Sequence, residues 1–249
     1  MSTGDYYQLP TGRVAALDTD TPFPPVECAL AEPNGLIAIG GDLSSQRILA
    51  AYQQGIFPWF NEGEPILWWS PNPRMVLFPV NLKISRSLAK RLKKPDYEVK
   101  FNQHFRQVMQ ACASVSRDQQ HGTWISPEMI EAYCELHAQG YACSAETWID
   151  NKLVGGLYGV VINRMFYGES MFHYVTDASK IAFVHMVNYL KQQNIGMIDC
   201  QMKTPHLESM GAVETSREVF LKLAKSQMLK PTDDFKLSVT NQDMSLRIA

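Results

Sequence analysis

Between Tyr141 and Phe172 lie three strand-like runs, Tyr141 to Ile149, Lys152 to Ile162 and Met165 to Phe172, each separated from the next by only two residues. Asp150-Asn151 and Asn163-Arg164 fill those gaps, where tight hairpin turns belong, so the runs are expected to form an antiparallel meander. Helix signals surround it. Ser126-Pro127-Glu128 combines a cap, a first-position proline and a first-turn acid, and Gly140 closes that helix. Ser44 can cap another helix that runs to about Gln54, with Gly55 as its stop. After the meander the pattern predicts a helix from about Ala178 to Gln193, a strand over Ile195 to Met202 and a short helix from near Pro205 to Gly211. A last strand over Ala212 to Thr215 and a last helix over Arg217 to Lys225 complete it. The expected class is α+β, a mixed, largely antiparallel sheet flanked by helices.

Upstream, the first twenty residues are polar and Thr21 to Pro33 is proline-rich, which predicts an extended arm or loop. The stretch from Ile56 to Pro79 is aromatic and punctuated by proline. Such loops either staple a small N-terminal domain onto a larger one or present a surface to flat groups. The expected organisation is a small N-terminal domain over residues 1–75, a larger domain over 76–230 and a polar tail over 231–249.

A formal net charge of −2 gives no global sign of a nucleic-acid partner, so any such partner must be read from local charge. From Lys83 to Arg106 eight basic residues face only Asp96 and Glu98. Within this segment Arg86, Lys90 and Lys93 or Lys94 recur at helical spacing, making one basic face on a short helix that ends before Pro95. That face is either simply solvated or a docking site for phosphates. Five cysteines without a C-x-x-C pair, no apolar signal core and no long apolar run suit a cytoplasmic protein without a membrane segment.

Chemistry concentrates at two places. If Ile195 to Met202 is a strand, Asp199 and Gln201 point to one face and Ile198, Cys200 and Met202 to the other. A carboxylate and a carboxamide on one face can hold an amine between them, whereas Cys200 falls with the packing residues and is expected to be inert. In Tyr167-Gly168-Glu169-Ser170-Met171-Phe172, Glu169 would share a face with Tyr167 and Met171, as a satisfied core group or the floor of a pocket. Leu157 could line the same pocket, and Gly155 and Gly156 would permit close approach of another backbone or a ligand. No metal-ligand spacing, phosphate-binding glycine loop or serine-nucleophile elbow accompanies them.

Several linked motifs carry a family resemblance: Glu32-Pro33-Asn34-Gly35-Leu36, Gly40-Gly41-Asp42-Leu43, Gly55-Ile56-Phe57-Pro58-Trp59, Trp68-Trp69-Ser70-Pro71 and Ile84-Ser85-Arg86-Ser87. Gly122-Thr123-Trp124-Ile125, Gly155-Gly156-Leu157-Tyr158-Gly159, Gly168-Glu169-Ser170-Met171-Phe172 and Ile198-Asp199-Cys200-Gln201 continue it. From about Phe23 to Lys225 the chain resembles the leucyl/phenylalanyl-tRNA–protein transferases. The resemblance implies an acetyltransferase-like larger domain, without the loop that holds coenzyme A and without any cofactor or metal. The implied reaction moves leucine or phenylalanine, with methionine as a third candidate, from aminoacyl-tRNA to the α-amine of a protein beginning with Arg or Lys, marking it for degradation. Asp199 would take the amine proton directly or through a relay, and Gln201 would orient the amine. Trp59 and Trp124 would receive the terminal adenosine, where stacking is worth ~1–3 kcal/mol per base. Leu157, Phe166 and Met171 would line the aminoacyl pocket, Tyr52 and Tyr133 would join the substrate contacts, and Glu169 with Asp199 would supply negative charge for the cationic acceptor. Arg86, Lys90, Lys93 and Lys94 would grip the tRNA backbone. Cys143-Ser144 departs from relatives that more often carry His before Ser. A transferase that builds peptidoglycan bridges and a non-enzymatic RNA-binding module remain alternatives at the level of sequence.

Overall fold

The computed structural model describes residues 5–115 and 124–229. The expected tail over 231–249 and the Gly122-Thr123 half of one motif lie outside the described residues. In chain order the elements are β1 (Tyr6–Leu9), β2 (Gly12–Leu17), β3 (Leu36–Gly40), α1 (Ser45–Gln53), β4 (Phe57–Pro58), β5 (Leu67–Trp69) and β6 (Arg74–Leu77). They continue with α2 (Arg86–Leu92), β7 (Glu98–Phe101), α3 (Phe105–Ser114), α4 (Pro127–Ala138), β8 (Ala142–Ile149), β9 (Lys152–Ile162) and β10 (Met165–His173). The last are α5 (Ala178–Gln192), β11 (Met197–Asp199), α6 (Pro205–Ser209), β12 (Val213–Thr215) and α7 (Arg217–Met228).

The larger sheet has the order β12-β6-β11-β10-β9-β8-β7, antiparallel throughout except where β10 and β11 run parallel. The expected mixed, largely antiparallel α+β arrangement is thus borne out, together with a second, smaller sheet of order β1-β2-β3-β5-β4. The meander folds as its turns dictate: Asp150, Asn151 and Asn163 sit at φ of 49°, 58° and 51°, the left-handed region that their short polar side chains tolerate. Local caps set the helices where expected. Ser44 accepts from the Arg47 N–H and Ser126 from the Met129 N–H, each satisfying a donor the first turn leaves over.

One face of the larger sheet packs on α3 and α4 in a core shared with the smaller sheet, as Tyr158, Val108 and Trp68 show; the other packs on α5. Gly155 makes the contact with α5 possible. A Cβ on Gly155 would stand 2.5 Å from that of Ala178, so the close approach is by the start of α5, not by a ligand. A Cβ on Gly159 would meet the Tyr167 carbonyl oxygen at 2.3 Å.

Three expectations need correction. The N-terminal arm is a β-hairpin, because Val14, Ala15 and Leu17 bury against β3 and draw β2 into the smaller sheet. Parts of the aromatic stretch are strands, with Phe57 and Trp69 paired across β4 and β5. The strand expected over Ile195 to Met202 is only Met197–Asp199. Among the described residues no helix is long and apolar enough to cross a membrane.

Candidate active site

The parallel pairing of β10 and β11 ends at Tyr167 and Asp199. Beyond it Gly168 to Met171 take one course and Cys200 to Met202 another, and all of these residues line a cavity of about 700 Å³. Leu157, Phe166, Phe183 and Ile198 make its wall apolar, Trp59 and Trp124 stand against it, and Glu169, Gln201, Thr204 and His206 bring polar groups. An apolar cleft of this size with a few convergent polar groups is the usual form of a small-molecule site.

Asp199 does not line the cavity, and both it and Arg74 are 0% exposed. Arg74 donates from Nε to Oδ1 at 2.8 Å and from Nη2 to Oδ2 at 2.6 Å, and its Nη1 reaches the Gly55 carbonyl at 3.1 Å. Its guanidinium lies 4.8 Å from the Phe57 ring centre and 4.6 Å from that of Phe220. Asp199 was expected to take the amine proton directly or through a relay; its carboxylate is held inward by a buried, bidentate cation and does not itself reach the cavity. What reaches the cavity is Gln201. Its backbone N–H donates to Asp199 Oδ1 at 2.9 Å, its φ is +53°, and the Met202 N–H closes a tight turn onto the Cys200 carbonyl at 2.7 Å. Strand alternation stops where pairing stops, so the shared face expected of Asp199 and Gln201 does not exist. A left-handed non-glycine costs roughly 1–3 kcal/mol, and here the fixed carboxylate holds it in place.

Glu169 is the bulged residue of β10. Pairing passes from Gly168 opposite Gly159 to Ser170 opposite Tyr158, leaving Glu169 unmatched. The extra residue reverses the alternation, so Tyr167 packs on the α3 and α4 side while Met171 packs opposite Leu157 on the α5 side. The expected common face of Tyr167, Glu169 and Met171 is corrected accordingly. Glu169 Oε2 accepts from the Tyr133 hydroxyl at 3.3 Å and Oε1 from Gln201 Nε2 at 3.4 Å. Behind it the hydroxyls of Tyr52 and Tyr133, both 0% exposed, share a 2.6 Å hydrogen bond. Burial pushes the Glu169 carboxyl up to about 7, the Asp199 charge adding to the effect and the Tyr52 and Tyr133 hydroxyls with Arg74 opposing it. Burial also raises both tyrosines well above their ordinary value, so they remain neutral donors.

The cavity thus brings together Glu169, Gln201, Trp59, Trp124, Leu157, Phe166 and Met171, with Tyr52 and Tyr133 behind Glu169. Trp59 is braced by Trp69, whose Nε1 donates to its carbonyl at 2.6 Å. Arg86, Lys90, Lys93 and Lys94 lie apart from the cavity lining, exposed and without an ion pair among the described residues. The helix α2 that carries the first two ends at Leu92, so Lys93 is its cap and Lys94 lies beyond it. It packs against α5, whose Phe183 lines the cavity. Cys200 lines the cavity but is buried with the α5-side core, and burial raises its thiol far above the ordinary range. Sequence reasoning missed Arg74, Phe183, Thr204 and His206. An arginine inside an apolar strand, Arg74-Met75-Val76-Leu77, was the one signal that could have found the first, since a buried cation demands a partner.

A profile of the family described as "Leucyl/phenylalanyl-tRNA protein transferase" matches residues 76–225, and one of its N-terminal domain matches residues 41–72. The leucyl/phenylalanyl-tRNA–protein transferase of Nitrosomonas eutropha is 63% identical over 210 residues, 84% of this chain and 89% of that protein. That of Chromobacterium violaceum is 63% identical over 212 residues, 85% and 91% of the two chains. A GCN5-related N-acetyltransferase from Kribbella flavida superposes with a TM-score of 0.35 at 6% identity, over 68% of this chain and 60% of that one, a likeness too low to argue from.

Proposed function

Because the chain belongs to the leucyl/phenylalanyl-tRNA–protein transferase family, we propose that it moves leucine or phenylalanine, with methionine as a third substrate, from aminoacyl-tRNA to the α-amine of proteins beginning with Arg or Lys. The product is a new peptide bond in the cytoplasm and a mark for degradation. The observation that carries this reading is the juxtaposition in one cavity of an apolar wall, Leu157, Phe166 and Met171, with a carboxylate and a carboxamide, Glu169 and Gln201.

An unbranched or γ-branched aminoacyl side chain enters the apolar wall, where Met171 adapts to its shape. Such a wall separates substrates by only ~1–3 kcal/mol per methylene. Trp59 and Trp124 offer flat faces to the terminal adenosine, and the outward cations on and after α2 hold phosphates of the tRNA body without reading sequence. Gln201 orients the amine, and Asp199 acts through Gln201 by fixing its backbone. The ester is already activated, so alignment supplies much of the acceleration.

Incubation with leucyl-tRNA and a peptide beginning with Arg is expected to add one leucyl residue at the peptide's N-terminus, read by fragmentation mass spectrometry. No addition, or preferential modification of a lysine-bearing muropeptide, would overturn the reading. Cys200→Ala is expected to retain transfer within a few fold, since a buried neutral thiol supplies packing only. Lost transfer with aminoacyl-tRNA binding intact would show instead that the thiol takes part.

A further inference from the structure

Resting on the transfer reaction above, we propose that Glu169 is the group that takes the proton from the acceptor's α-ammonium, with Tyr52 and Tyr133 as positioning residues that hold its carboxylate, while Asp199 never meets the amine. Among the described residues that line the cavity, Glu169 alone carries a carboxylate. One oxygen faces the Gln201 amide and the other the Tyr133 hydroxyl, so the carboxylate is fixed from both sides and still borders the space where substrates meet. Asp199 lies behind the Gln201 turn, with Arg74 on both oxygens and the Gln201 N–H on one of them. The bulge at Glu169 and the tight turn at Gln201 are two independent departures from regular strand geometry, and both turn their side chains toward the same cavity.

The chemistry balances with these groups. The acceptor enters as an ammonium and must lose two protons to become an amide nitrogen. The first passes to the Glu169 carboxylate and on to solvent. The freed electron pair attacks the ester carbonyl carbon, the N–C bond forms, the C–O bond to ribose breaks, and the leaving oxygen takes the second proton as a hydroxyl. A carboxyl poised at about 7 exchanges protons with an α-ammonium of ordinary value ~7.7–8.0 at little cost.

The groups that bear on Glu169 are Tyr52 from α1, Tyr133 from α4, and Asp199 with Arg74 behind the Gln201 turn; His206, from α6, lines the same cavity. Burial, Lys180 and His173 hold the His206 imidazole below its ordinary range, so it is neutral near pH 7.

Single-turnover transfer at saturating leucyl-tRNA, measured from pH 5.5 to 9.5, tests the assignment. Wild-type kcat/KM for an Arg-started peptide is expected to rise through a limb near 7. Glu169→Gln is expected to lose ~10²–10⁴-fold in kcat and to replace that limb by one following the peptide's own ammonium. Tyr133→Phe removes a donor that favours the charged form, so its limb should move to higher pH, a shift that mere loosening of the fold would not produce. His206→Gln should leave the limb in place. If Glu169→Gln only raises KM for Arg- and Lys-started peptides, with the kcat profile unchanged, Glu169 binds the cationic side chain and the proposal falls. An unmoved Tyr133→Phe profile would overturn it equally, even if Glu169→Gln fails to fold. Failure of the wild-type enzyme to transfer at all would sink the reaction itself; an active wild type with unshifted variants sinks the Glu169 role alone.

Discussion

Arg74→Ala is expected to lose about 3–5 kcal/mol of stability, the usual result of stripping one partner from a buried ion pair. The Asp199 carboxylate would keep the Gln201 N–H but lose every cationic partner that the structure places on it. The Gly55 carbonyl, two residues before Phe57 at the cavity wall, would lose its donor at the same time. Urea unfolding gives the first effect and peptide transfer the second. Pairing Arg74→Met with Asp199→Leu sharpens the test, because apolar replacement of a whole buried pair is often neutral for stability. That double variant should regain most of the stability while transfer stays low, since nothing would then anchor the Gln201 turn. Arg74→Ala as stable as the wild type, or full transfer by the double variant, would remove the anchoring role.

Met171→Trp is expected to cut transfer of both leucine and phenylalanine by roughly 10–200-fold, the scale that small volume changes in an apolar pocket command. Met171 is half-buried opposite Leu157, where the cavity borders the α5-side core, so an indole there takes up cavity space. Stability should fall by no more than about 1–3 kcal/mol, and binding of uncharged tRNA should persist because the basic residues of α2 are elsewhere. The measurement is a competition between leucyl- and phenylalanyl-tRNA over one peptide. Unchanged phenylalanine transfer by a folded variant would mean that the side chain is received somewhere else.

The meander, its positive-φ turns at Asp150, Asn151 and Asn163, and the helices capped by Ser44 and Ser126 were all legible in the sequence, since each depends on a few neighbouring residues. So was the packing role of Cys200, although the facing argument that led to it holds only as far as Asp199. The β-strand nature of Tyr6 to Leu17 was not legible, because it comes from pairing of β2 with Leu36–Gly40, a segment distant in sequence. Helix α3 was missed for lack of a cap: His104, which precedes it, makes no side-chain capping bond.

By itself the sequence determined the α+β class, the run of elements from Ser126 onward and the small set of residues among which the chemistry had to be sought. The tertiary structure alone decided which of two carboxylates borders the cavity. Asp199 is turned inward by an arginine 125 residues earlier in the chain, and Glu169 is turned outward by a bulge that only pairing with β9 reveals. Alternation is a local rule that lasts as long as regular pairing does. Pairing is interrupted at Glu169 and ends after Asp199, so Glu169 and Gln201 take directions that alternation does not set.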